Sequence, residues 1–232
     1  MIEQRIVVGY KGLIGQAVYK IFDADVGIDI DELTDCIHKN RFRIMHVCIP
    51  FIENYIDVVS DYIEEHQPKL TIIHTTCKVG ATRQLNEKTK QPVVHIPIHG
   101  HHTDSSYSPV SIVKDIFRYI MSVGAVDVET GNLACDYVGR FGFNAELQTP
   151  ETTEFAKIMS TNLQLDVIKS WGKHHKKVRE YKDADWNGVV NIIKDVAENE
   201  PYGYLNRTYQ RLSPVDTKIS GKHCLTDNKD LL

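Results

Sequence analysis

The chain has 232 residues, 42% of them hydrophobic and 25% charged, with a formal net charge of −4. That length and composition are enough for a buried core, and the mild acidity argues against nucleic acid or an anionic membrane as the main partner. The five cysteines are scattered, with none in C-x-x-C spacing, which argues against a disulfide framework or a structural zinc site.

The N-terminal MIEQRIVVGY enters a strand pattern at once, with no basic or apolar leader ahead of it. No apolar run approaches the ~20 residues of a membrane span, so a cytoplasmic protein is expected. In chain order, 5–8 predicts a strand, 13–22 a helix, and 26–30 a second strand ending in acid. A third strand over 44–49 is stopped by Pro50. Ile52, Tyr55, Ile56, Val59 and Tyr62 recur near the 3.6 period and predict a helix over 52–66. Further strands are expected at 70–74 and 93–98, then at 116–123 and 143–148, with a helix near 128–140 between the last two. Strands alternating with helices predict an α/β fold, a Rossmann-type doubly wound and mostly parallel sheet.

The pattern changes at 149. Thr149-Pro150-Glu151 reads as a cap, a proline at the first helical position and an acid in the first turn. The helix it opens is expected to run to about 180, interrupted only by Gly172, with another helix at 186–198. The expected division is a nucleotide-binding domain over 1–149 and a C-terminal helical segment over 150–232. So long a helix suits a partner interface, and a homodimer is expected. The basic run from Lys173 to Lys182 reads as a solvated helix face. Cys48, inside an apolar run, reads as core filling.

The first chemical signal is 9-GYKGLIG-15, which follows a strand and opens a helix. Glycines in that context permit a tight turn and close approach of a pyrophosphate to the helix N-terminus. The spacing is G-x-x-G-x-x-G, one residue longer than the usual fingerprint, with Lys11 as the insertion. Gly9, Tyr10, Lys11, Gly12, Leu13, Ile14 and Gly15 are therefore candidate cofactor contacts, and Asp29 is placed for the ribose hydroxyls. Asp31 and Glu32 follow it, which favours NAD over NADP. The alternative is a glycine-rich turn that binds no nucleotide.

Four segments, in order, resemble the UDP-glucose/GDP-mannose (nucleotide-sugar) dehydrogenase family. They are 46-HVCIPF-51, 74-HTTCKVG-80, 150-PETTEFAKIMSTN-162 and 221-GKHCLTDN-228. The resemblance implies cofactor contacts at Ile49, Pro50 and Thr76. It also implies an active-site lysine at Lys157, which stabilises oxyanion charge, and a nucleophile at Cys224. In that family NAD oxidises a sugar alcohol in two hydride steps through a thiohemiacetal and a thioester. Thr161 stands where the family helix has an asparagine, and Asn228 stands where it has a water-positioning aspartate. The chain ends where the family's C-terminal nucleotide-sugar-binding domain would begin, which implies a short member and a smaller sugar or polyol substrate.

The stretch 95-HIPIHGHH-102 holds four of the eleven histidines. It falls where the family has a catalytic glutamate, and His99 is the candidate to replace it in acid/base work. A zinc site and a solvated loop are the other readings. Three functions are therefore open: an NAD-dependent dehydrogenase, a nucleotide-binding protein without the chemistry, and a one-step dehydrogenase like the β-hydroxyacid dehydrogenases, which would need Lys157 but not Cys224.

Overall fold

The computed structural model describes residues 4–29, 42–99, 112–114, 116–199 and 231. Strands Arg5–Val8 (β1), Val26–Ile28 (β2), Ile44–Val47 (β3), Leu70–Ile73 (β4) and Val93–His95 (β5) are dominated by branched apolar residues, which suit a sheet covered on both faces. Helices Leu13–Ile21 (α1), Tyr55–His66 (α2) and Ala81–Thr89 (α3) alternate with them. After β5 come a 3₁₀ turn at Ile116–Arg118, strand Met121–Ala125 (β6), helix Val128–Gly139 (α4), strand Ala145–Gln148 (β7) and helices Pro150–Val178 (α5) and Trp186–Asn199 (α6).

The strands form one seven-stranded sheet in the order β2-β1-β3-β4-β5-β6-β7. The first five are parallel. β6 runs antiparallel to β5, and β7 is parallel to β6. This is the expected doubly wound, mostly parallel α/β fold.

Alternation along each strand sorts side chains between two layers. Val7, Ile44, Leu70, Ile72 and Val94 pack with α1 and α4 on one face. Ile6, Val8, Met45, Val47, Ile73 and Val93 pack with α2 and α3 on the other. The chain thus changes face between β1 and β3, and that switch point is where doubly wound sheets place their ligands.

One local expectation changes, and one helix, α3, was not expected. The strand expected over 116–123 is a 3₁₀ turn followed by β6. Ile116 is buried, while Phe117 is 54% exposed and stacks on Phe143 at 4.5 Å, and an in/out pair of this kind reads the same in a turn as in a strand. Helix α3 carries little periodic signal, because its sequence ATRQLNEKT buries only Ala81, Thr82 and Leu85.

The residues form two compact units, divided after Ile158. The first two turns of α5 belong to the sheet unit, and its remainder belongs to the second unit. In the second unit, Trp171 of α5 meets Trp186 of α6 edge to face at 5.8 Å, and His175 packs on Trp186 at 4.8 Å.

Candidate functional site

The glycine loop lies at the switch point. Gly9 has φ +83°, and a Cβ there would come within 2.9 Å of the Cys48 carbonyl carbon and the Ile49 nitrogen. A Cβ on Gly15 would run into the Gly9 carbonyl, so α1 can start this close to the loop only with glycine at both positions. Gly12 is the N-cap of α1. It offers no capping side chain, and the first turn carries no acid. The helix end therefore presents backbone N–H groups and a positive dipole end.

The inserted residue has a structural use. The Lys11 N–H donates to an Asp29 carboxylate oxygen at 2.9 Å, and the Gln16 side-chain amide donates to the Lys11 carbonyl at 2.9 Å. Asp29 thus ties the extended loop to the end of β2. Tyr10 packs against the ring of Tyr19, with centroids 5.0 Å apart.

Because β1 to β5 are parallel, their carboxyl ends share one edge of the sheet. Asp29, Gly9, Ile49 with Pro50, Thr75 with Thr76, and Ile98 with His99 follow one another along it in strand order. Side chains brace this edge. The Thr75 hydroxyl donates to the Ile49 carbonyl at 2.6 Å.

Two buried histidine chains lie just beneath, a role the sequence analysis did not assign to these residues. His74 Nδ1 is 2.7 Å from the Ile96 carbonyl, His46 Nδ1 is 2.9 Å from His74 Nε2, and His46 Nε2 is 2.8 Å from the Tyr137 hydroxyl. A carbonyl only accepts, so His74 carries its proton on Nδ1 and accepts from His46 Nδ1–H. His46 Nε2 in turn accepts from Tyr137. Every ring nitrogen is satisfied with both rings neutral. Burial lowers both pKa values, that of His74 to about 4. The signal for these residues was available: each interrupts an otherwise apolar run, I-M-H-V and T-I-I-H.

In the second chain, His95 Nε2 meets the Thr75 carbonyl at 3.1 Å and Nδ1 meets the Thr153 hydroxyl at 2.8 Å. Burial lowers the His95 pKa to about 3. His95 is thus a core residue of β5 and not part of a solvated loop.

The start of α5 docks on the same edge. Glu151 takes a two-point ion pair from Arg83 at 2.5 and 3.1 Å. Glu154 is buried and accepts the Gly80 N–H at 2.6 Å and the Thr82 N–H at 2.8 Å, so it caps α3 from another helix. Desolvation raises its pKa despite these donors. Gly124 makes room for this turn: a Cβ there would strike the Thr153 hydroxyl and come within 2.8 Å of the Pro150 Cα. One turn further, Lys157 Nζ donates to the Ile98 carbonyl at 2.8 Å.

Lys157 and His99 therefore come together at the end of β5. Burial, then the Lys157 charge, lowers the His99 pKa to about 4. His99 also packs against Tyr119, with ring centroids 5.8 Å apart. Thr76 is half-buried on the same edge. Thr161 is buried and belongs to the second unit. Cys224 and Asn228 lie outside the described residues, as do His101 and His102. Cys48 is partly buried and packs against the core, and burial pushes its thiol up. Among the described residues no group of three or more His, Cys, Asp or Glu is placed to hold a metal, and no helix is long and apolar enough to cross a membrane.

No family model and no curated protein matches the sequence. Solved structures do share its fold. A UDP-D-ManNAc dehydrogenase from Pyrococcus horikoshii superposes with a TM-score of 0.70 at 19% identity, covering 99% of this chain and 64% of that one. A GDP-mannose dehydrogenase from Pseudomonas aeruginosa gives 0.60 at 14% identity, over 83% of this chain and 56% of that one. A 3-hydroxyisobutyrate dehydrogenase from Mycobacterium tuberculosis gives 0.64 at 12% identity, over 93% and 77%. The chain thus spans less than two thirds of both of these nucleotide-sugar dehydrogenases.

Proposed function

We propose that the protein is an NAD-dependent oxidoreductase acting on a CH–OH group of a sugar, polyol or related small alcohol. The observation that carries this reading is the shared sheet edge. A glycine cradle that any Cβ would fill opens onto the α1 N-terminus at the switch point, and Lys157 is fixed on that same edge. Similarity of fold to dehydrogenases of sugars and of a hydroxyacid supports it.

Gly9 to Gly15 and the first N–H groups of α1 would hold the pyrophosphate. Asp29 would hold the ribose, and the peptides at Ile49, Pro50 and Thr76 would flank the far half. NAD, when bound, supplies the hydride acceptor. Lys157 would place an ammonium beside the substrate oxygen, where alkoxide charge develops. His99 is neutral at neutral pH, with a pKa of about 4. So weak a base is better suited to orienting the hydroxyl than to keeping its proton. Cys224 would add a covalent second step if it reaches this edge.

Titration with NADH, followed by fluorescence, tests the cofactor; absence of binding sinks the reading. Lys157→Ala should keep NADH binding and lose about 100-fold or more in turnover. Activity that survives Cys224→Ala confines the chemistry to one hydride step. Thr161 and Asn228, which depart from the sugar-dehydrogenase pattern, favour a second reading: a nucleotide-binding protein without turnover. NADH binding with no oxidation of any sugar, polyol or hydroxyacid tested would select it. The expected homodimer is part of the same proposal, and light scattering in solution tests it.

A further inference from the structure

We propose that His95 is a positioning residue that locks the lysine-bearing helix to the cofactor-side loop; the functional half of this claim rests on the reading above. The hydrogen-bonded ladder ends where the His74 N–H meets the Val47 carbonyl and the Ile96 N–H meets the Ile73 carbonyl. Beyond it, side chains hold the 75–76 segment. The Thr75 carbonyl is bonded by His95 Nε2, and the Thr75 hydroxyl reaches the Ile49 carbonyl. On its other side, His95 Nδ1 meets Thr153, one helical turn before Lys157 and on the same face of α5. One ring therefore joins three things that must keep register: the Thr75–Thr76 peptide, the Ile49–Pro50 peptide behind it, and the helix that carries Lys157.

Proton bookkeeping makes the link directional. The Thr75 carbonyl can only accept, so Nε2 carries the hydrogen. In the neutral ring Nδ1 is then a lone pair, and the Thr153 hydroxyl donates to it. That hydroxyl also lies 2.9 Å from the Pro150 carbonyl, so its proton has a second acceptor inside the helix. If Nδ1 is protonated, Thr153 can turn to Pro150 and still accept from the ring. Thr153 is 2% and His95 0% exposed, so neither partner meets bulk solvent in the native protein.

Two substitutions divide the ring's roles. In His95→Asn the amide oxygen takes the place of Nδ1 and can still accept from Thr153, but nothing reaches Thr75. In His95→Gln the longer amide can donate to Thr75, but the acceptor for Thr153 is gone. Thr153→Val removes the same helix contact without altering β5. Three readouts apply to the whole chain. Amide exchange of Thr76 and Cys77 reports the loop. The ¹³C-methylated Lys157 resonance, assigned by its loss in Lys157→Arg, reports the helix. NADH affinity reports function.

The Asn variant should speed loop exchange and weaken NADH binding by about tenfold relative to the Gln variant. The Gln variant and Thr153→Val should both shift the Lys157 resonance more than the Asn variant does. If both His95 variants disturb loop and lysine alike, or neither is disturbed, the proposal is overturned. If wild type binds no NADH while exchange and resonance divide as described, the cofactor reading fails and the link stands. If NADH binds and its affinity ignores both variants, the positioning role is wrong.

Discussion

At the level of single residues, the buried histidines set a pH limit on the fold. His74 and His95 have folded pKa values of about 4 and about 3, below the ordinary 6.5. The unfolded chain therefore binds more protons than the native one between about pH 6.5 and those values. Stability is complete above pH 6.5 and falls as pH drops through that window, by at most about 1.4 kcal/mol per unit for each histidine. Glu154, whose pKa is raised, works in the opposite direction at the acid end. The thermal midpoint should decline from pH 7 to pH 5, and His74→Gln should flatten that decline. A midpoint that ignores pH over this range in the wild type would contradict the neutral-ring assignment. Lys157 was readable as a candidate because the segment 150-PETTEFAKIMSTN-162 resembles the family's active-site helix. The capping role of Glu154, one turn earlier in the same segment, was not, because its partners are backbone N–H groups at the start of α3 that no side-chain pattern encodes.

At the level of elements, close approaches decide where the site residues stand. Gly15→Ala would force α1 away from the Gly9 carbonyl. It should cost about 1–3 kcal/mol and more than about tenfold in NADH affinity, read by thermal melts and by fluorescence titration. Glu154→Ala would leave the Gly80 and Thr82 N–H groups buried without their acceptor. A loss of about 2 kcal/mol or more, roughly 5 °C in midpoint, is expected; an unchanged melt would show that the cap is dispensable. The strands β1, β3, β4 and β5 were legible because short branched runs between turn signals have few other uses. Helix α3 was not, since three buried positions give no period to read. The 116–123 segment misled because Ile116 and Phe117 are adjacent apolar residues, and adjacency does not say which one faces inward.

At the level of the whole molecule, a doubly wound sheet gathers residues far apart in sequence onto one edge without any of them touching in the chain. Gly9, Asp29, Thr76, His99 and Lys157 share an edge because five strands are parallel. Alternation of strand and helix made that arrangement predictable, but the depth of each side chain was not, which is why His95 looked like part of a polar loop. If the edge binds the nucleotide, NADH at about 100 times its Kd should stabilise the native state by about 2.7 kcal/mol, a midpoint shift of roughly 5–10 °C.

The Glu154 cap has a wider consequence. Helices α1, α2 and α3 all begin at the carboxyl edge of the sheet, so each aims a positive pole toward any ligand arriving there. The protein covers the α3 end with Glu154, and α2 carries Asp57, itself ion-paired with Lys88, in its first turn. Only α1 starts with neither an acid nor a capping side chain. If an anionic ligand binds at this edge, the protein's own counter-charges would favour the α1 end over the α3 end, and so would bias which way a long, two-ended ligand lies before any specific contact forms.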